Sequence, residues 1–453
     1  MTFKPELLSP AGTLRNMRYA YAYGADAVYA GQPRYSLRVR NNDFTLDNLA
    51  TGISEAHSQG KKFYVASNIA AHNSKIKTYM RDIEPVIAMK PDALIMSDPG
   101  LIMLVKDKFP EQTIHLSVQS NVVNYAAAKF WHRNGVERII LSRELSLDEI
   151  EEIRLTVPEL EIETFVHGAL CIAYSGRCLL SGYISKRDPN QGACTNTCRW
   201  KYQAHEAKED ESGDFVPTDP KIWTPPGDKI ATDAPTLGLG GPTDAAFLLE
   251  EETRPGTFMP AYEDEHGTYI MNSKDLRAIQ HVERLTKMGV HSLKIEGRTK
   301  SHYYVARTAQ AYRKAIDDAV AGSSFDKSLM NELDNLANRG YTEGFYRRHV
   351  HDEYQNYEQG TSVGVQQQFV AEVTGRDGDQ LVMMSKNKFA VGDSLELMTP
   401  AGNRTLVLDN IVNCKNGNDM AEVPGGGFEV KVTVPEAAAV HAERYGLVMK
   451  NLA

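Results

Sequence analysis

Apolar and polar positions alternate along the first 170 residues in two rhythms. Short apolar runs end in Gly, Ser, Asn or Asp. Longer stretches follow, with apolar residues three and four positions apart. The first rhythm predicts β-strands and the second amphipathic helices. The predicted strands are Glu6–Ser9, Ala27–Ala30, Lys62–Asn68, Ala93–Ser97, Ile114–Val118, Arg138–Ser142 and Ile162–Val166, with an eighth, Ser292–Ile295, after a long gap. The predicted helices are Thr13–Tyr23, Leu46–Gln59, Lys75–Met89, Leu101–Phe109, Val122–Asn134, Leu147–Thr156, Lys274–Met288 and His302–Ala321. Ser146 with Glu149 forms a capping-box pattern. Gly24, Gly60, Gly135 and Gly289 fall where helices should stop.

Strict alternation of this kind predicts an α/β fold, a (β/α)8 TIM-type barrel over residues 1–325, with a doubly wound open sheet as the rival. The gap between strands seven and eight predicts an insertion at about 172–270 that is Cys-rich at its start. Its middle, 209–214, 225–227 and 238–242, reads as exposed loop. Residues 326–360 read as a helical linker carrying the helix Ser328–Ala337. From about 361 to 453 the pattern changes to short alternating runs split by turn residues: Phe369–Thr374, Gln380–Ser385, Ser394–Met398, Thr405–Leu408 and Phe428–Val434. That predicts a small all-β, barrel-like domain.

A barrel places its active site at the C-terminal ends of its strands. Those ends read Ser9–Gly12, Tyr29–Gly31, Asn68, Asp98, Gln119, Arg143-Glu144, His167 and Glu296-Gly297-Arg298, a polar ring with charged members.

Composition narrows the class. The chain has 453 residues, 42% apolar and 24% charged, as a globular protein does, which excludes a disordered or collagen-like chain. No run approaches the roughly 18 apolar residues of a membrane span, and the first residues lack the apolar core of a signal peptide. A cytoplasmic protein with no membrane partner is expected. Net charge is −9, but residues 201–270 alone hold 5 Lys/Arg against 15 Asp/Glu, a local −10 that leaves +1 on the rest. The overall acidity therefore does not exclude a polyanionic partner.

Cysteine placement is the strongest chemical signal. Four of the five, Cys171, Cys178, Cys194 and Cys198, fall within 28 residues with spacing C-x6-C-x15-C-x3-C, and Cys414 lies far downstream. Such clustering in a cytosolic chain points to a metal or cluster site. Zinc fingers and ribbons use two C-x2-4-C pairs, and only the last pair here fits. Wide, irregular spacing suits a [4Fe–4S] cluster, with structural zinc as the alternative. Buried inert thiols are disfavoured by the neighbouring Tyr174, Arg177, Arg187 and Arg199, since cations also lower thiol pKa values.

Three basic stretches could meet RNA. Arg34, Arg38 and Arg40 interleave with Tyr35, Asn41 and Asn42; Arg199-Trp200-Lys201-Tyr202 follows the last clustered cysteine; Arg347-Arg348-His349 is the third. A solvated surface run is the ordinary explanation for any one of them.

The runs Glu163–Cys171, Tyr174–Gly182 and Asn190–Trp200 resemble the fingerprint of the collagenase-like family of unassigned peptidases. Within that family the opening Pro5–Gly12 and the stretch Tyr29–Arg38 are similar to members that hydroxylate tRNA. The resemblance runs nearly end to end. It implies an oxygen-independent hydroxylase that makes 5-hydroxyuridine at the wobble position of tRNA, with an iron–sulfur cluster and with prephenate as oxygen donor. Other family members act on ribosomal RNA or on a ubiquinone precursor, so another RNA or a small molecule is an alternative substrate. The resemblance implies cluster ligation by Cys171, Cys178 and Cys194, with Cys198 the nearest fourth ligand and Cys414 the only other. The peptidase alternative finds no G-x-S-x-G elbow and no H-E-x-x-H helix.

A dicarboxylate such as prephenate needs fixed cations, and Arg143 and Arg298 sit at strand ends; Arg38 could serve either substrate. His167, four residues before Cys171, is a candidate for proton transfer, or else merely hydrogen-bonded beside the cluster. Glu296, Asp98 and Gln119 are the remaining candidates for polar or acid–base work.

Overall fold

The computed structural model describes the chain apart from residues 1–2, 38–42, 172, 179–180, 182–186, 195–201, 210–214, 218–245, 252–257, 265–266, 269–273, 339, 348–366, 436–441 and 453; in the strands between 202 and 268 it describes the backbone. Seven strands come first: β1 (Glu6–Pro10), β2 (Ala27–Gly31), β3 (Lys62–Ser67), β4 (Ala93–Met96), β5 (Ile114–Leu116), β6 (Arg138–Ile140) and β7 (Glu161–Ala169). Each pairs in parallel with the next. The insertion contributes β8 (Tyr202–Glu209), β9 (Phe215–Pro217), β10 (Ala246–Glu251), β11 (Phe258–Asp264) and β12 (Gly267–Thr268). Next come β13 (Asp275–Arg277) and β14 (Ser292–Ile295). Strand β14 pairs in parallel with both β1 and β7, which closes an eight-stranded barrel. The open-sheet rival is thereby excluded.

Helices α1 (Leu14–Ala22), α2 (Leu46–Ser58), α3 (Asn73–Ala88), α4 (Pro99–Lys108), α5 (Tyr125–Arg133), α6 (Leu147–Thr156), α7 (Val282–Lys287) and α8 (His302–Ala321) follow the barrel strands. Side-chain caps start most of them. Thr13, Thr45, Asp98, Asn124, Ser146 and Ser301 each accept from a backbone N–H in the first turn, satisfying donors that the helix itself leaves open. Ser146 and Glu149 close the predicted capping box. Among the described residues no helix is long and apolar enough to cross a membrane.

Two predictions are corrected. The expected helix Lys274–Met288 begins as β13, antiparallel to the end of β7, passes through a 3-10 turn at Ile279–His281 and becomes α-helical only at Val282. Strand β7 is nine residues long and overhangs the barrel; β13, with β15 (Tyr341–Thr342) beside it, completes that open edge. The sequence of β13, Asp-Leu-Arg, holds a single apolar residue and so leaves no apolar run to read. The insertion, too, is more than loop. Its strands form a five-stranded antiparallel sheet in the order β12-β11-β10-β8-β9. Most of its expected loop, 210–214, 225–227 and 238–242, lies outside the described residues; Glu209 ends β8.

After α9 (Ser328–Asp334) the C-terminal domain carries β16 (Gln367–Asp377), β17 (Gln380–Ser385), β18 (Phe389–Ala390), β19 (Ser394–Thr399), β20 (Gly402–Val407), β21 (Val412–Asn413), β22 (Glu422–Val423), β23 (Glu429–Thr433) and β24 (Leu447–Asn451). Seven form an antiparallel sheet in the order β20-β19-β24-β16-β17-β23-β21. The interior strand β24 was not foreseen; it pairs on both sides with strands distant in sequence. Val370, Leu381, Leu395, Val430 and Val432 build this domain's own core, whereas Met398, Leu447 and Met449 join the core of the barrel. Across the junction the buried Arg307 of α8 gives both terminal nitrogens to Glu396 of β19, at 3.0 and 2.6 Å. This bidentate geometry offsets part of the cost of burying a guanidinium.

Candidate site at the barrel mouth

The barrel interior is layered, because alternate residues of each strand point inward. The lower layer is a closed charge network. Arg138 Nη1 lies 2.6 Å from Glu6 Oε1 and 3.3 Å from Glu163 Oε2. The Tyr64 hydroxyl donates to Glu6 at 2.7 Å, and Ser292 Oγ donates to it at 3.1 Å. Burial would push the Glu6 pKa up, but Arg138, Tyr64 and Lys62 together hold it below the usual carboxylate value.

One layer higher, the Lys294 ammonium sits 2.8 Å from Glu163 Oε1. It also lies 4.3 Å from the Tyr29 ring centre and 5.5 Å from that of Phe165. Burial lowers the Lys294 pKa, and Glu163 opposes that. Arg143 also stacks on Phe165, its guanidinium 3.8 Å from the ring centre. Arg143 Nη1 donates to Ala169 O at 2.7 Å, and Nη2 is 3.5 Å from Glu296 Oε2. Arg298 lies 5.6 Å from Tyr29 and donates to Ser36 Oγ at 3.1 Å and to Leu37 O at 2.7 Å. Three cations are thus spaced by two aromatic rings at one level of the barrel, an arrangement favourable to each cation.

These residues line a cavity of about 120 Å3 at the barrel mouth. Its wall is completed by Asn68, Gln119, Glu296 and the segment after β7, including Cys171, Cys178 and Cys194. The segment is pinned at several points. Gly176 has φ +73°, and a Cβ there would come within 2.7 Å of Gln119 Oε1 and 2.9 Å of Gln119 O, so only glycine lets the turn lie against that residue. Asn121 Nδ2 donates to Ser175 O at 2.6 Å. Asn190 Nδ2 donates to Cys178 O at 3.0 Å, while Asn190 O accepts from Ala70 N. Asp188 caps the short turn 189–191, and Cys194 follows it. Cys171 is exposed, and Cys178 and Cys194 are half-buried.

The donor chemistry fits an iron–sulfur centre in kind, since three thiols border one cavity and thiolate is the ligand such centres take. They are not drawn round a point: among the described residues no three His, Cys, Asp or Glu side chains gather closely enough to hold a metal ion. Cys198 lies outside the described residues. Cys414 lies in the C-terminal domain, its N–H bonded to Glu429 O of β23, and is not part of the cavity wall.

Other predicted site residues lie elsewhere. His167 does not face the cavity. Strand alternation would put it inward with Glu163 and Phe165, but the β7–β14 register skips Val166, pairing Lys294 with Phe165 and Ile295 with His167. His167 therefore turns outward, among the rings of Tyr304 and Tyr312 on α8 and Tyr341 on β15 at 5.4–5.8 Å. Burial, with Arg277 and Lys300 adding to it, pushes its pKa down to about 3, so it is neutral. Its neighbour Gly168 has φ +104°, and a Cβ would come within 2.5 Å of Glu296 O. Asp98 is the N-cap of α4, accepting from Leu101 N at 3.0 Å. Arg34 turns to α3 and pairs with Asp82 at 2.7 Å. Tyr35, offered as a stacking ring, is fully buried, edge-on to Tyr79. Arg347 pairs with Glu343. Arg38, Arg40, Arg199 and Trp200 lie outside the described residues.

Sequence reasoning missed Lys294, Phe165 and Ser117 as cavity residues, whereas Tyr29, read at the end of β2, does line it. For Lys294 a signal existed: a lysine inside the four-residue strand Ser-Leu-Lys-Ile has no solvent to reach if its parity is inward.

Fold and site together define a closed (β/α)8 barrel whose mouth combines a cysteine-bearing segment with buried cations. Two family models match the chain: that of Peptidase family U32 over residues 12–356 and that of the Peptidase family U32 C-terminal domain over residues 365–442. The chain belongs to Peptidase family U32. It is 66% identical over 450 residues to tRNA hydroxylation protein P of Escherichia coli, covering 99% of this chain and 97% of that one. It is 62% identical over 452 residues to tRNA hydroxylation protein P of Haemophilus influenzae, at the same coverages. The protein of that name from Helicobacter pylori strain 26695 is 38% identical over 363 residues, 79% of this chain and 76% of its own.

Proposed function

We propose that this protein hydroxylates tRNA, making 5-hydroxyuridine at the wobble position, with an iron–sulfur centre held by Cys171, Cys178, Cys194 and Cys198 and with prephenate as oxygen donor. The observation that carries the reading is that Cys171, Cys178 and Cys194 border the same cavity as Arg143, Lys294, Arg298 and Glu296, in a chain 66% identical to a protein named for tRNA hydroxylation.

The centre would supply redox or Lewis-acid chemistry at the mouth. The chain's own residues do the rest. Arg143 and Lys294, held 3.8 and 5.5 Å from the Phe165 ring centre, can each hold one carboxylate of a dicarboxylate co-substrate. Glu163 beneath Lys294 and Glu296 beside Arg143 orient these cations. Asn68 and Gln119 offer amides at the rim, where a flipped-out uridine would enter. The cytoplasm, where tRNA and prephenate meet, is the compartment this reading requires. Peptide hydrolysis finds less support: Ser175 and Ser181 border the cavity, but among the described residues no histidine lines it to act as their base.

The test is nucleoside analysis of tRNA from a strain lacking this gene and any redundant hydroxylase. Loss of 5-hydroxyuridine derivatives, restored by the wild-type chain but not by Cys171→Ser, is expected. Unchanged 5-hydroxyuridine in that strain contradicts the proposal.

A further inference from the structure

A second cavity, about 400 Å3, lies where the barrel meets the C-terminal domain. Its volume falls within the roughly 300–1,000 Å3 of small-molecule sites. From the barrel side it is lined by Lys300 and Tyr303, from the end of α9 by Asn335, and from the C-terminal domain by Gln367 and Phe369. Tyr303 and Phe369 stack face to face across the junction, their centres 5.4 Å apart and their planes within 6°. Beside this flat pair stand acceptors that, among the described residues, meet no donor. Gln367 spends its amide nitrogen on Glu396 and Asn451, at 3.0 and 2.7 Å, which fixes the amide's orientation. Its Oε1 is buried and meets no donor; the same holds for Asn335 Oδ1. The Tyr303 hydroxyl, near the Arg307 guanidinium, also meets no partner at hydrogen-bond geometry. Buried polar atoms left without partners cost roughly 1–3 kcal/mol each, so several around one cavity call for an occupant that donates hydrogen bonds.

We infer that this interdomain cavity holds an unpaired nucleotide of the tRNA, at a distance from the modified uridine. A nucleobase brings a flat face for the Tyr303–Phe369 stack and N–H donors for the Asn335 and Gln367 oxygens, and its phosphate suits the Lys300 ammonium. The cavity is also joined to the first one. Tyr304 lines it, and the Tyr304 hydroxyl donates at 2.9 Å to the backbone oxygen of Glu296, which lines the barrel mouth. A nucleotide seated here would steady the segment that carries Glu296 and Arg298. The inference rests on the tRNA reading and names where else that RNA is gripped.

The full chain is titrated with unmodified tRNA from the deletion strain, alongside Asn335→Ala and Tyr303→Phe, with melting temperatures recorded. About tenfold weaker binding by Asn335→Ala, at an unchanged melting temperature, is expected. Wild-type protein that fails to bind tRNA overturns the functional reading and this inference together. Wild-type binding that both variants reproduce overturns the inference alone and leaves ordered water as the occupant. Should Asn335→Ala not fold, photocrosslinking of wild-type protein to 4-thiouridine-substituted tRNA decides. Crosslinked peptides containing residues 300–304 or 367–369 support the site, and crosslinks confined to other segments refute it.

Discussion

The lower and upper layers of the barrel interior draw on the same strands and the same residue types, yet they handle charge in opposite ways. In the lower layer Glu6, Glu163 and Arg138 pair with one another at 2.6–3.3 Å, and tyrosine and serine hydroxyls take up remaining oxygens of Glu6. In the upper layer Arg143, Lys294 and Arg298 lean on rings, backbone oxygens and single carboxylates, and they border a cavity. A network whose members satisfy each other serves stability; cations held against aromatic faces beside a cavity are ready to meet an anion. The lower layer is the barrel's ionic plug, and the upper layer is the surface to which the proposed function assigns recognition.

Exchanging damage between the layers tests that division. Arg138→Met leaves Glu6 and part of Glu163 without a buried counter-charge, and should cost about 3–5 kcal/mol in urea unfolding. Any fraction that folds should keep its tRNA affinity. A loss under about 1 kcal/mol would show that the lower layer is not a stabilising network. Arg143→Met should do the reverse, lowering kcat/KM for tRNA hydroxylation roughly 100-fold while changing stability by about 1 kcal/mol or less. Kinetics unchanged from wild type would remove Arg143 from the site.

His167 sharpens the comparison through pH. Burial lowers its folded-state pKa from 6.5 to about 3. Between those values the unfolded chain binds a proton that the folded chain refuses. The stability that neutral His167 represents is present above pH 6.5 and is lost as pH falls toward 3. Near pH 5 the loss amounts to about 2 kcal/mol, at 1.36 kcal/mol per unit. His167→Gln should flatten the fall in urea midpoint between pH 6.5 and 5 and leave hydroxylation at pH 7.5 in place. A variant as acid-sensitive as wild type, or one that is folded yet inactive, would return His167 to the candidate machinery. The smallest effect belongs to Asp98→Ala, which removes a helix cap and should cost about 1 kcal/mol with no change in kcat.

Much of the fold was legible because each barrel element carries its own local signal. The apolar runs marked all eight barrel strands, and α6 and α8 match their predicted bounds, with Ser146 and Ser301 as caps. What escaped was non-local. Strand β13 exists because β7 overhangs the barrel, and β24 is placed by partners far away in the chain. In the site, Cys171, Cys178, Cys194, Arg143, Arg298, Glu296 and Gln119 come to one cavity, since strand ends and the segment after β7 are readable positions. His167 was misread because a single register skip reverses which way a side chain points, and no residue type announces it. Asp98 was misread because a strand end in this fold is also a helix start, where an aspartate has a structural use. Lys294 was overlooked because its inward direction becomes apparent only once the barrel closes.

The most direct test of the central claim is the iron, sulfide and visible spectrum of anaerobically purified full-length protein, set beside its Cys171→Ser variant. About four iron and four sulfide per chain, with a broad visible absorption that the variant loses together with tRNA hydroxylation, is the result this account predicts. Colourless, iron-free protein that still hydroxylates tRNA would contradict it.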